Sequence, residues 1–243
     1  MTLTYAVVIP ARFESSRFPG KPLVDICGKP MIQHVWERSC QAVDSNNVYI
    51  ATDDERIKNV AESFGAQVVM TPESCLTGTD RIAEANKVLK RDFIVNVQGD
   101  EPLINPLDIQ SIVDEYQRSP GEVINAFCKI SEEEDVFSLT LPKVVFSVSK
   151  QLLYMSRAAI PLTKSGINNF SYKQICIYAF SKEHLEFFLS QGQKTPLEEQ
   201  EDIEILRFLE NDYKVKMVEV EAGSIAVDTP EDLKKVLLSL HNS

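Results

Sequence analysis

The chain has 243 residues, 44% of them hydrophobic, and a formal charge of −11. That length and composition predict one unit, residues 1–243, with ample material for a core. The acidic balance excludes a general affinity for nucleic acid, which needs a positive surface. No apolar run approaches the ~20 residues of a membrane span, so no membrane partner is expected. Five scattered cysteines without a C-x-x-C pair predict neither zinc nor a disulfide framework, and the expected compartment is the cytoplasm.

An apolar run over Tyr5–Pro10 predicts the first strand. Ile32, Val35, Trp36, Cys40 and Val43 then recur at helical spacing. Val48–Thr52 reads as a second strand, and Ile57, Val60, Ala61 and Phe64 line a helix stopped by Gly65. Gln67–Thr71 is a third strand, followed by a helix near Asp80–Leu89. Phe93–Val97 is a fourth, ending in Gln98-Gly99-Asp100-Glu101. Asn105 and Pro106 open a helix that carries Ile109, Ile112, Val113 and Tyr116 on one face. This alternation predicts an α/β fold, a mainly parallel sheet flanked by helices.

The second half changes character. Glu122–Ile130 is strand-like, Val144–Val148 and Leu152–Tyr154 suggest a hairpin, and Tyr172–Phe180 is another apolar strand. A helix carrying Leu185, Phe188 and Leu189 follows. Ile203, Leu206 and Leu209 predict a continuous helix over Glu199–Asn211. Strands near Val215–Val220 and Ile225–Val227 precede a last helix, capped by Thr229 and begun by Pro230, whose Glu231 and Asp232 complement its dipole.

Chemistry concentrates at strand ends. Arg12, Arg17, Gly20 and Lys21 occupy the loop after the first strand. Three cations on one junction of an acidic chain ask for an anion, and such a loop can cradle a polyphosphate. Open α/β sheets bind ligands past the carboxyl ends of their strands, where this loop lies. Asp100 follows the fourth strand behind Gly99, and Asp228 ends the last. If both strands share one sheet, both carboxylates face the basic loop. Mg²⁺ uses such a pair when it shares its shell with phosphate. Taken singly, Asp100 also reads as a loop acid and Asp228 as a neighbour of a helix cap.

Motifs along nearly the whole chain sharpen this. They are VVIPARFESSRFPGKPLVDICGKPMIQHV at 7–35, ATDDERI at 51–57, TGTDRIAEA at 77–85 and VNVQGDEPLI at 95–104. SRAAIP at 156–161, YKQICIYAF at 172–180, TPLEEQEDIEILRFLEN at 195–211 and VDTPEDL at 227–233 complete the set. In these segments the chain resembles the cytidylyltransferases that activate 3-deoxy-D-manno-octulosonate (Kdo), an eight-carbon acid sugar of lipopolysaccharide cores. The resemblance implies a nucleotide-diphosphosugar transferase fold, with a smaller sugar-pocket and dimerisation region at about residues 130–180, in a homodimer. It implies transfer of CMP from CTP to the sugar, release of pyrophosphate, and a requirement for Mg²⁺.

Position by position, Ala11, Arg12, Arg17 and Lys21 match the triphosphate loop of that family. Thr79, Arg81 and Gln98 match residues of its nucleotide pocket, and Asp100 and Asp228 its metal-binding aspartates. Arg157 matches a sugar-pocket arginine, whose fork suits a carboxylate. Gln174, Tyr178 and Glu204 fall on positions associated with the sugar. Without the resemblance, Glu204 reads as a solvated helix acid and Tyr178 as a half-buried strand aromatic. Catalysis is expected from Arg12, Lys21, Asp100 and Asp228, by positioning and charge neutralisation, since none of His34, His184 and His241 is placed as a base.

Departures from the pattern cluster on the sugar half. The usual Y-K-H-I-G is Tyr172-Lys-Gln-Ile-Cys176 here, so Gln174 replaces a histidine and Cys176 a glycine. Ile205 stands where a glutamine is usual, Leu162 where an aromatic residue is common after Ile-Pro, and Glu14 where the loop usually has a small residue. Loss of a cationic histidine, with Asp202 or Glu14 nearby, suits an acceptor with an ammonium at C8, the 8-amino-3,8-dideoxy sugar on which some of these enzymes act. Drift in a tolerant pocket is the plain alternative. The competing functions are a cytidylyltransferase for another acid sugar such as a sialic acid, one for a sugar phosphate, or a silent sugar-nucleotide-binding regulator.

Overall fold

The opening apolar run becomes β1 (Tyr5–Ala11), buried from Ala6 onward. It lies mid-sheet between two parallel neighbours, β4 (Val48–Thr52) and β6 (Phe93–Val97), which accounts for its unbroken apolar character. A computed structural model of the protein describes residues 2–14, 18–132, 134–166, 171–221 and 224–241. Between β1 and β4 come a short hairpin, β2 (Asp25–Ile26) and β3 (Lys29–Pro30), and α1 (Met31–Ala42). Next are α2 (Glu55–Ser63), β5 (Gln67–Met70) and α3 (Gly78–Leu89). After β6 follow α4 (Pro106–Arg118), β7 (Val123–Lys129), β8 (Lys143–Phe146), β9 (Leu152–Ser156) and β10 (Tyr172–Ser181). The chain closes with α5 (Lys182–Gln191), α6 (Pro196–Glu201), α7 (Leu206–Leu209), β11 (Val215–Glu219) and α8 (Pro230–His241).

The main sheet runs β11-β7-β10-β6-β1-β4-β5. Its β6-β1-β4-β5 half is parallel, β10 is antiparallel to both β6 and β7, and β11 is parallel to β7. Alternating residues of β1 serve two cores. Val7 and Ile9 pack with Ile32, Ile57 and Ile112 of α1, α2 and α4. Ala6 and Val8 pack with Ile82 of α3 and Leu185 of α5 on the opposite face. The hairpin of β8 and β9 joins the sheet through β10, where Tyr172 pairs with Val144.

Two predicted elements differ. The expected helix Glu199–Asn211 is broken into α6 and α7 by Asp202, whose φ of 51° puts it in the left-handed region. Aspartate tolerates that conformation better than most residues. Ile203 and Leu206 are still buried, so the apolar spacing was real but served two short helices. Ile225–Val227 forms no ladder strand: one backbone bond, Val227 N–H to the Asp100 carbonyl at 2.9 Å, ties it to the end of β6. Among the described residues, no helix is long and apolar enough to cross a membrane.

Candidate active site

The carboxyl ends of β1 and β6 open into a cavity of about 460 Å³. Its floor depends on Gly99: a Cβ there would lie 2.7 Å from the Pro10 carbonyl oxygen, so only glycine lets the turn after β6 press against β1. That turn delivers Gln98 and Asp100 to the cavity. Asp228 reaches the same space, because Val227 is bonded to the Asp100 backbone and α8 begins immediately after.

The two carboxylates converge on one cation. The Lys21 ammonium donates to Asp100 Oδ2 at 2.8 Å and to Asp228 Oδ1 at 3.3 Å. Burial pulls the Lys21 pKa down, but attraction to Asp100 and then Asp228 outweighs it and leaves the pKa raised. Lys21 is carried by a single 3-10 turn that Gly20 enters at φ 69°. Arg12 lines the same cavity, and its guanidinium has no protein partner among the described residues. Ala11 is buried at the end of β1. Arg17 lies outside the described residues.

The opposite wall is the start of α3. Thr77 and Asp80 form a capping box, worth about 1 kcal/mol to such a helix. The first free N–H groups, of Gly78 and Thr79, are taken by the Glu204 carboxylate at 3.2 and 2.9 Å. Burial raises the Glu204 pKa, only partly offset by those donors. Far from being a solvated helix acid, Glu204 is turned inward by the corner that Asp202 makes. Arg81 also lines the cavity, its guanidinium held by Asp53 and Thr71 at 2.7 Å each.

The expected sugar residues are placed differently. Arg157 directs its guanidinium to the carbonyls of Glu201, Leu139 and Asp202 at 2.6, 2.9 and 3.1 Å. Gln174 Nε2 donates to Asn125 Oδ1 at 3.1 Å and to the Tyr178 hydroxyl at 2.9 Å. Asn125 in turn donates to the carbonyls of Ile175 and Ile177, at the irregularity where β10 shifts register against β7. Arg157, Gln174 and Tyr178 are not among the cavity-lining residues, whereas Glu204 and Asp202 are. Burial, then neighbouring Cys176 and Glu204, push the Tyr178 pKa well up.

Sequence reasoning passed over Lys194, which lines the cavity and holds the Asp202 carboxylate at 2.7 Å. No motif marks it. It also passed over Asn125, whose signal was available as one polar residue inside the apolar run Val123–Phe127.

The donor set bears on a metal. No group of three or more His, Cys, Asp or Glu suited to a metal exists among the described residues. Two carboxylates that converge on the Lys21 ammonium fit an ion that completes its shell with substrate phosphate and water, as Mg²⁺ does, and not a closed protein cage.

Comparisons with known proteins show the family. Residues 6–217 match the family model described as cytidylyltransferase. The mitochondrial 3-deoxy-manno-octulosonate cytidylyltransferase of Arabidopsis thaliana is 44% identical, over 94% of this chain and 80% of its own length. The 8-amino-3,8-dideoxy-manno-octulosonate cytidylyltransferase of Shewanella pealeana is also 44% identical, over 96% of each. A solved CMP:2-keto-3-deoxy-manno-octonic acid synthetase complexed with CTP superposes with a TM-score of 0.90 at 36% identity, covering 98% of this chain and 99% of that one.

Proposed function

The chain belongs to the cytidylyltransferase family, and from that premise we propose that it transfers CMP from CTP to the anomeric hydroxyl of Kdo or its 8-amino relative. The observation that carries the reading is the convergence of Asp100 and Asp228 on Lys21, in the cavity that also holds Arg12, Gln98 and the start of α3. The sugar oxygen bonds to the α-phosphorus, the bond to the β-phosphate oxygen breaks, and pyrophosphate leaves. Arg12 and Lys21 take up charge on that leaving group. The hydroxyl proton passes to solvent: His34 is held at the Ile26 carbonyl at 2.8 Å and His184 caps α5, so neither acts as base.

Mg²⁺ would be held by Asp100 and Asp228 with the triphosphate, and when bound it supplies charge stabilisation at the phosphoryl oxygens. Gln98 and Arg81 in the cavity wall, with Thr79 behind it, would serve the nucleotide, and Glu204 in the wall, with Arg157, Gln174 and Tyr178 outside the lining, would serve the sugar. The acids Asp202 and Glu204 in the cavity support the ammonium-bearing 8-amino sugar as acceptor. One observation favours ordinary Kdo instead: Asp202 already holds the Lys194 ammonium. Exposed Phe137, Leu139 and Leu153 around the β8–β9 hairpin support a homodimer, and the five free cysteines support a reducing compartment such as the cytoplasm.

Pyrophosphate release from CTP, with each sugar in turn and with or without magnesium, tests the reading. Turnover should need the metal, favour the 8-amino sugar in kcat/KM, and fall about 10²-fold or more in Asp228→Asn. Equal turnover by that variant would remove the mechanism, and a preference for Kdo would remove the amine.

A further inference from the structure

Lys21 occupies the mouth of the very pair of acids assigned to the metal. Its ammonium sits 2.8 Å from Asp100 and 3.3 Å from Asp228, with 15% of the side chain exposed. Two like charges brought together at a partly dry surface need a counter-ion, and the chain supplies its own. The backbones of the two acids are fastened without Lys21, to each other by the Val227-to-Asp100 bond and to the start of α8, where Asp232 accepts the N–H groups of Asp228 and Thr229 at 3.3 and 3.1 Å. The clamp is thus held by backbone, while the cation between its jaws is the tip of a long side chain.

We propose that Lys21 is a resident counter-ion that blocks the clamp to a free divalent cation until a nucleotide draws the ammonium away. This rests on the function proposed above. A divalent ion bound alone would share both carboxylates with an ammonium and meet its repulsion. A triphosphate entering beside Arg12, which has no partner among the described residues, offers Lys21 a stronger anion than two aspartates, and departure of the ammonium opens the clamp with phosphate oxygens already at hand. By reciprocity, each ligand then raises the affinity for the other, and the divalent ion without nucleotide is a poor ligand.

The test is Mn²⁺ binding to the full chain without nucleotide, followed by the electron paramagnetic resonance of the free ion. Lys21→Met should bind Mn²⁺ about tenfold or more tightly than the wild type. Arg12→Met removes a cation of the same cavity that touches neither acid, and should stay within about threefold of the wild type, which separates a local plug from general charge. Lys21→Gln is the second neutral variant should the methionine protein not fold. Wild-type affinity equal to that of the neutral variants overturns the proposal, as does an equal gain in Arg12→Met. Magnesium-dependent turnover of the wild type, measured in parallel, tells this failure apart from failure of the transferase reading, which loses turnover itself.

Discussion

Glu204 accepts the backbone N–H of Thr79 at 2.9 Å, joining residues 125 positions apart in the chain. With the Gly78 N–H at 3.2 Å, it places a built-in carboxylate at the positive end of α3, where helices ordinarily bind anions. The same contact links the corner between α6 and α7 to the α3 wall of the cavity. Glu204 therefore has a positioning role besides any contact it makes with sugar.

Removing that carboxylate should be felt on the CTP side. Glu204→Ala leaves two inward N–H groups without an acceptor, at a cost of about 1–3 kcal/mol, and frees the α3 wall. The expected result is a rise of about tenfold in KM for CTP. Glu204→Gln keeps an acceptor oxygen and should fall between the two. Steady-state kinetics with CTP and sugar varied in turn, the other held saturating, checks this, and an effect confined to the sugar KM would show that the α3 contact is incidental.

What could be read from the chain follows from how local each signal was. The convergence of Asp100 and Asp228 was legible, because strand ends in an open α/β sheet share an edge. The route was not, since the segment before Asp228 is held by one backbone bond and not by a ladder. The helix expected over Glu199–Asn211 failed for a related reason. Its apolar spacing was correct, but Asp202 in the left-handed region costs little and leaves no mark in hydrophobic periodicity. Arg157 illustrates another limit: a guanidinium fork can bind carbonyls as well as a carboxylate, and only the tertiary fold shows its contacts with the carbonyls of Leu139, Glu201 and Asp202.

Gly99 offers a second prediction, in which sterics decide. A methyl group at this position would stand 2.7 Å from a backbone oxygen that cannot rotate away, and 3.2 Å from Ile32 Cδ1. Relief requires β1 and the turn carrying Asp100 to separate. Gly99→Ala should cost about 1–3 kcal/mol, the usual range for overpacking, and lower turnover more than stability alone explains. Gly28→Ala is a contrast: it meets no atom within 4 Å but must adopt a φ of 85°, so its cost is conformational and remote from the cavity. Chemical denaturation beside turnover distinguishes them, and full activity in Gly99→Ala would refute the close-approach argument.

The corner holding Glu204 is braced from below by Arg207 and Glu198, a bidentate pair with both bonds at 2.6 Å and almost no exposure. The guanidinium also lies 3.6 Å over the Phe188 ring. Desolvation offsets much of the attraction in such a pair, yet removing one partner strands a buried charge and typically costs about 3–5 kcal/mol. Glu198→Gln should therefore destabilise strongly, whereas the double change Glu198→Leu with Arg207→Met should recover most of the loss. Melting temperatures of the single and double variants decide this. A double variant no more stable than the single would mean that the pair contributes more than charge compensation.

The last prediction concerns pH. Asp108 sits in the first turn of α4, where the helix dipole favours a carboxylate, but the residue is buried and its pKa is pushed up to about 6. Burial is the chief cause. It outweighs the Glu221 N–H that Asp108 accepts at 3.3 Å, and the nearby Glu221 carboxylate adds to the rise. The folded chain then keeps this proton to about pH 6, whereas an unfolded aspartate releases it near 3.9. Between those values the folded state binds the extra proton, so raising the pH draws stability away; above about 6 the penalty is constant, and below about 4 it is absent. Asp108→Asn cannot ionise and escapes the penalty. Its advantage over the wild type should grow across this window to about 1–3 kcal/mol at pH 7. Urea denaturation of both proteins at pH 4.5, 5.5 and 7 measures it, and a difference that does not change with pH would place the Asp108 carboxyl among ordinary solvated acids.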